Sequence, residues 1–221
     1  MSHCHDEHDH HHHDHDGHDH SDDITPALQN LLHGQIDFSA VSTLNETDPR
    51  SGAAILQKTW AQRLEDQPEL RSDADEQILM LVPFTGQVRL HSIILRTSAS
   101  DSAPRTLKVF INRDDLDFST ATDLQPTQTF ELAQTSDIQE HPVKRVLFNS
   151  TRQLGLFFED NFSGGDEDET VITYLAFKGD FMKLNKEPVS FLYEAAANPS
   201  DHTPIVGTKQ GMGSDIGRGG A

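Results

Sequence analysis

The chain has 221 residues, with 36 Asp and Glu against 17 Lys and Arg, a formal charge of −19 with histidine neutral. A chain this acidic repels phosphate backbones and anionic membrane surfaces, so neither nucleic acid nor membrane is expected as a partner. No run of about 18 or more apolar residues occurs, so no transmembrane helix is expected.

The charge is unevenly spread. Residues 1–23 hold eight acids, ten of the fourteen histidines and no Lys or Arg, which leaves −11 for residues 24–221. The segment has too few apolar side chains to offset its ordering entropy, so it is expected to be a disordered His/Asp-rich tail. Its histidines are His3, His5, His8, His10, His11, His12, His13, His15, His18 and His20. Imidazole suits zinc, nickel and copper, so these ten are the candidate metal ligands. Such a site would exchange ligands rather than hold one fixed geometry. The plain alternative is a solvated low-complexity tail.

Cys4 is the only cysteine, so no intramolecular disulfide and no C-x-x-C pair exists. The first residues lack the basic and apolar regions of a secretory signal, and they lack the Arg-rich look of a transit peptide. The expected location is the cytoplasm, with the nucleus also open. No cofactor is indicated.

In chain order, a helix of at most two turns is expected near 26–32, with Pro26 at its first position and Gly34 at its end. Residues 36–60 read as loops, a short strand and a turn of helix near 39–41. From residue 77 the period changes to two. Residues 77–84 read as a strand buried on both faces and broken by Pro83 and Gly86. The next strand puts Val88, Leu90 and Ile94 on one face, and Arg89, His91, Ile93 and Leu95 on the other. Leu107, Val109 and Ile111 alternate with Lys108, Phe110 and Asn112, and 127–132 forms a shorter strand. Residues 143–148 and 154–158 flank Asn149-Ser150-Thr151-Arg152, which reads as a hairpin loop. Gly164-Gly165 introduces 170–177, with Val171, Thr173, Leu175 and Phe177 on one face. Gly179 marks a break, and 188–193 is a last strand. Residues 206–221 are Gly-rich and expected to be flexible. Strand-like runs with turn signals, and no long helical pattern between them, predict an all-β, mainly antiparallel sandwich or jelly roll with minor short helices.

The remaining candidates for chemistry each have a plainer reading. Three acidic clusters (Asp73, Asp75, Glu76; Asp114, Asp115, Asp117; Asp166, Glu167, Asp168, Glu169) offer hard oxygen ligands, but none has the spacing of an EF-hand loop. They read as solvated loops and strand entries. Asn198-Pro199-Ser200-Asp201-His202 puts Ser, Asp and His side by side, yet neighbours in a turn point apart, and a hydrolase needs them converging. His33, His91 and His141 read as structural or solvated, and Trp60 as a core edge rather than a sugar platform. No catalytic residue is assigned, and the chain is not expected to be an enzyme.

Three blocks carry more. They are Leu44-Asn45-Glu46, the run from Ser72-Asp73-Ala74-Asp75-Glu76-Gln77-Ile78-Leu79 to Val82-Pro83-Phe84-Thr85-Gly86-Gln87-Val88, and Tyr193-Glu194-Ala195-Ala196-Ala197-Asn198-Pro199-Ser200-Asp201-His202. This ordered set resembles the PITH domain, a proteasome-interacting module found at the C-terminus of a thioredoxin-like protein and also alone in small proteins. The resemblance covers residues 24–205, between the leader and the 206–221 tail. It implies a jelly-roll β-sandwich of the galactose-binding-like type, a non-catalytic binding module, no cofactor and the proteasome as partner. A monomer is expected. Redox work in the thioredoxin-like member belongs to a separate domain with no counterpart in these residues. Two other functions stay open: metal buffering through the His-rich tail, and small-ligand (carbohydrate) binding by the sandwich loops.

Overall fold

The structure is a computed structural model that describes residues 29–166 and 169–182. The chain divides into two units, and every described residue belongs to the first, Met1–Leu184. The His/Asp-rich leader, the strand expected at 188–193, the segment 198–202 and the Gly-rich end lie outside the described residues.

The described residues form strands β1 (Ser42–Leu44), β2 (Leu70–Arg71), β3 (Ile78–Thr97), β4 (Pro104–Ile111), β5 (Gln128–Glu131), β6 (Gln139–Pro142), β7 (Thr151–Asn161) and β8 (Val171–Met182). Two short helices join them, α1 (Ser51–Gln57) and α2 (Phe118–Asp123). No helix among the described residues is long and apolar enough to cross a membrane.

Every strand pairing among the described residues is antiparallel, and β3 organises them all. Its residues 78–83 pair with β1 and β7, and its residues 87–97 pair with β8 and β6. The eight strands are hydrogen-bonded in the order β2-β8-β3-β7-β4-β5, with β1 and β6 also on β3, so the two halves of one long strand join two layers, β1-β3-β7-β4-β5 and β2-β8-β3-β6. This is the expected all-β jelly-roll sandwich. Pro83 and Gly86, read from sequence as a break, lie inside β3 where it crosses from one sheet to the other. The register to β7 shifts there, between Pro83 and Val88. A strand can hold proline at such an irregularity because no ladder bond is demanded of its nitrogen. A Cβ on Gly86 would lie 2.8 Å from the Phe181 ring, so a larger residue there would require that ring to turn aside.

The main core lies between the sheets. Ile78, Met80, Val82, Leu107, Val109, Leu154, Leu156 and Phe158 from the first sheet belong to one cluster with Val88, Leu90, Ile93, Leu95, Ile172, Leu175 and Phe177 from the second. Each such side chain contributes about 1.5–3 kcal/mol on leaving water. The outer face of the first sheet is covered by α2 and the loop before it, which bury Leu79, Phe110 and Phe157 with Leu116 and Ala121. On the outer face of the second sheet, Ile94, Tyr174 and Ala176 are buried against Trp60, Leu31 and Ile138. Trp60 is therefore a core edge, with the Arg63 guanidinium 4.5 Å above its ring.

Two β-bulges overturn the expected faces. In β3, Leu90 pairs with Gly179 and Ser92 with Lys178, so His91 is an extra residue. One extra residue exchanges the two faces of a strand. Ile93 and Leu95 therefore join Val88 and Leu90 in the core, while Ile94 faces outward. In β8, Arg96 pairs with Tyr174 and Thr97 with Ile172, which leaves Thr173 as the extra residue. Ile172, not Val171 or Thr173, then joins Leu175 and Phe177. The carbonyl freed at Thr173 is satisfied by buried Lys58, whose Nζ donates to Thr173 O and Glu65 O at 2.8 Å each. Burial pushes the Lys58 pKa down. Gly179, read as a break, is also internal to β8.

The helix expected near 26–32 is not seen in its described part, where 29–30 form a turn and His33–Gln35 a single 3-10 turn. Where a turn of helix is expected near 39–41, residues 38–40 form a simple turn, and the short strand β1 follows it. Helix α1 lies in the segment read as loop, and its start is stabilised from a distance. The Glu46 carboxylate accepts from the backbone N–H of Arg50 (2.5 Å) and Gly52 (3.0 Å). Carboxylates stabilise a helix start by satisfying its free N–H groups.

Candidate interaction surface

The expected hairpin around 149–152 does not form. Residues 143–148 are a loop, β7 begins at Thr151, and β6 before the loop pairs with β3. Val143 and Phe148 are buried and plug the core, whereas Val146 is 84% exposed and Leu147 44%. The apolar residues of 143–148 are thus two anchors and a tip rather than a ladder. The bulge at His91 holds both anchors: Val143 N donates to His91 O at 2.9 Å, and Leu90 N donates to Phe148 O at 3.1 Å. Within the loop, Leu147 N donates to Lys144 O and Phe148 N to Arg145 O. Lys144 N donates to the Gln128 side chain. The tip Lys144-Arg145-Val146-Leu147 is therefore presented on a fixed base.

Its surroundings are basic. An open pocket of about 420 Å³ lies beside the tip, lined by Arg89, His91, Arg145, Val146, Asn149 and Asp180 among others. Asp180 is its one acid, and it sits 3.1 Å from His91 Nε2. Arg152 lies nearby, because Val88 and Thr151 pair with their side chains buried, which leaves Arg89 and Arg152 exposed on the opposite face.

Among the described residues there are thirteen Lys and Arg. Nine are held by a carboxylate, a carbonyl or a ring: Arg71, Arg96, Arg105, Lys108, Arg113 and Lys178 by acids, Arg50 and Lys58 by backbone oxygens, and Arg63 by Trp60. The other four are Arg89 and Arg145, which line this pocket, Lys144, which adjoins Arg145 in the tip, and Arg152, which follows the Val88–Thr151 pair and lines a separate pocket with Phe84, Thr85, Gly86 and Gln87. Unpaired cations around two exposed aliphatic residues form a surface suited to recognition rather than to chemistry.

A second cleft is different. It is open, about 590 Å³, and lined by Asp66, Glu69, Arg71, Arg96, Ser136 and Glu169 among others. Its charges are paired with each other: Arg71 with Glu69 (2.7 Å) and Glu169 (2.8 Å), and Arg96 with Asp66 (2.9 Å). No aromatic side chain lines it, so it lacks a stacking platform for a sugar.

Asp75 is part of a clasp: Asn45 Nδ2 donates to Asp75 Oδ1 (2.8 Å) and Gln77 O (2.6 Å), and Asn45 Oδ1 accepts from Ala74 N (2.9 Å). The first two blocks singled out in the sequence are thus one unit, since Asn45 ties the 72–77 loop while Glu46 starts α1. Asp73 is exposed. Asp117 starts α2 by accepting from Thr120 N, which holds its carboxyl below the usual range. The bidentate Arg113 beside Asp115 does the same there. Glu167 and Asp168 lie outside the described residues, as do the ten leader histidines. Among the described residues, no group of three or more His, Cys, Asp or Glu is arranged to hold a metal.

The three described histidines meet a carbonyl (His33 with Gln57 O), a carboxylate (His91 with Asp180) and an amide (His141 with Gln139). Burial pushes the His141 pKa below its ordinary 6.5. Between that value and the lowered one the unfolded chain holds more protons, so stability falls as pH drops through this window. His141→Gln is expected to flatten the fall, as measured by urea unfolding at several pH values between about 7.5 and about 5.

A family model described as PITH domain matches residues 22–197. The chain is 40% identical over 177 residues to a PITH domain-containing protein of Schizosaccharomyces pombe, covering 79% of this chain and 84% of that one. It is 35% identical over 173 residues to one of Drosophila melanogaster (77% and 80% covered). It is 32% identical over 183 residues to human PITH domain-containing protein 1 (80% and 84%). Similar solved structures include a family 32 carbohydrate-binding module of Clostridium perfringens in complex with galactose (7% identity, 67% of this chain and 97% of that one, TM-score 0.46). Another is the C-terminal domain of a chitobiase from Bacteroides fragilis (15% identity, 67% and 95%, TM-score 0.43).

Proposed function

Because the chain belongs to the PITH domain family, we propose that it is a non-catalytic interaction module that docks on the proteasome, or a related large cytosolic assembly, through the Lys144–Leu147 tip and its basic surround. The observation that carries this reading is the gathering of all four unpartnered cations of the described residues around two exposed aliphatic side chains. A surface of this kind fits a partner that offers acidic groups around an apolar recess. Attraction between opposite charges speeds encounter and weakens with salt. An aliphatic tip that enters a recess supplies dry contact at the centre. The overall −11 of residues 24–221 hides this face, because the excess acid is spread elsewhere.

The test is co-purification of the tagged full chain with proteasome particles at physiological salt. Enrichment above an unrelated acidic domain supports the reading, and its absence removes the proteasome as the partner.

The ten-histidine leader gives a second reading, metal binding. Calorimetric titration with zinc is expected to show heat for the full chain that a chain lacking residues 1–23 does not produce. Equal heats from the two would end it.

A further inference from the structure

We propose that the leader of this chain, residues 1–23, lies against the basic face formed by Arg89, Lys144, Arg145 and Arg152. The inference concerns the chain alone and does not depend on which partner the module binds.

Charge is the first argument. The leader brings eight carboxylates and no Lys or Arg. The face brings the four cations that nothing else among the described residues neutralises. Without the leader's own eight, residues 24–221 carry 28 acids against 17 bases, so their net charge repels the leader, and this cationic face is where attraction is expected.

Position is the second argument. Residues 30 and 31 run beside β8: Gly179 N donates to Asn30 O at 2.7 Å, and Leu31 forms an antiparallel bridge with Lys178. The described chain thus begins beside Gly179, whose neighbour along β8 is Asp180. Asp180 is the cross-strand partner of Arg89 and lines the same pocket as Arg145. The first described residues therefore lie one strand away from the face that the leader matches in charge, and neighbouring strands are only about 4.8 Å apart.

Tethering is the third argument. A short linker holds the two charged groups together at an effective concentration in the millimolar range, so a weak charge attraction is enough to populate the contact. The leader is nearly free of apolar side chains, with only Met1 and Cys4. It can neutralise the arginines but has little to offer Val146 and Leu147. A partner that supplies both acids and an apolar recess would then displace it.

The lone cysteine makes the test direct. A nitroxide on Cys4 of the full chain bleaches the backbone amide signals of whatever the leader approaches. Bleaching is expected at residues 89–91 and 144–152. It should vanish at about 1 M salt, where charges are screened within about 3 Å. It should vanish also in R89E/R145E, and persist on roughly tenfold dilution because the contact is intramolecular. Bleaching spread evenly over the domain, centred elsewhere, retained at high salt, or lost on dilution (the leader of a second copy) would each overturn the proposal. If R89E/R145E does not fold, the salt and dilution series on the unaltered sequence still decide. No partner is present in the experiment, so its failure is separate from a failure to capture proteasome particles.

Discussion

Gly179→Ala is expected to lower stability by about 3 kcal/mol or more, which for a domain of this size is a fall of roughly 6–12 °C in Tm. The added Cβ would sit 2.2 Å from the backbone oxygen of Arg89 and 3.0 Å from Leu32. Backbone cannot turn aside as a side chain can, so β3 and β8 must separate next to the His91 bulge. Gly34→Ala is the control. No atom lies within 4 Å of its new Cβ, and the expected change is within about 0.5 kcal/mol. Chemical unfolding of both variants checks the contrast. Equal stabilities would mean that β3 and β8 do not meet this closely. The effect reaches function as well, because Arg89 and the bulge that anchors 143–148 lie on the strand being pushed.

The charge-reversed variant R89E/R145E is expected to cut capture of proteasome particles at least tenfold, about 1.4 kcal/mol or more, while leaving Tm within a degree or two. Both side chains are exposed and neither has a partner among the described residues. The fold loses nothing, whereas an acidic partner meets repulsion where it met attraction. R71E is the matched control at the self-paired cleft. It breaks ion pairs with Glu69 and Glu169 but should leave capture unchanged. Loss of capture in R71E alone would move the docking site to that cleft.

Periodicity makes part of this legible in the sequence. The run 77–84 is buried on both sides because its even residues face the sheet-to-sheet core and Leu79 faces α2. Where period-two reading fails, one cause recurs: a bulge is a matter of pairing between strands and leaves no mark on one strand's composition. His91 and Thr173 each exchange the faces that follow them. Pro83, Gly86 and Gly179 look like stops when read locally. Inside the sheet they mark a crossing and two close approaches. Helix α1 escapes for the same reason, since its start is completed by Glu46, four residues before Arg50.

The candidate surface was the least legible. Lys144-Arg145-Val146-Leu147 carries a signal, two aliphatic residues directly after two cations, but its apolar residues also fit a strand. Nor can a sequence say which of its cations lack partners. Arg71 and Arg96 look no different from Arg89 and Arg145 until the fold brings Glu69, Glu169 and Asp66 to the first two. Asn45 and Asp75 are 30 residues apart, yet they lie in blocks that the family resemblance had already singled out. Their role there is architectural.

The role proposed for this sandwich is docking through the 143–148 tip. Site-specific photo-crosslinking in cell extract tests it most directly, with one photoreactive side chain placed at position 146 of the full chain and, separately, one at position 136 beside the paired cleft. Crosslinks from 146 to subunits of one large assembly, lost in R89E/R145E and absent from 136, are expected. Crosslinks that gather at 136, or none from 146 above background, would contradict it.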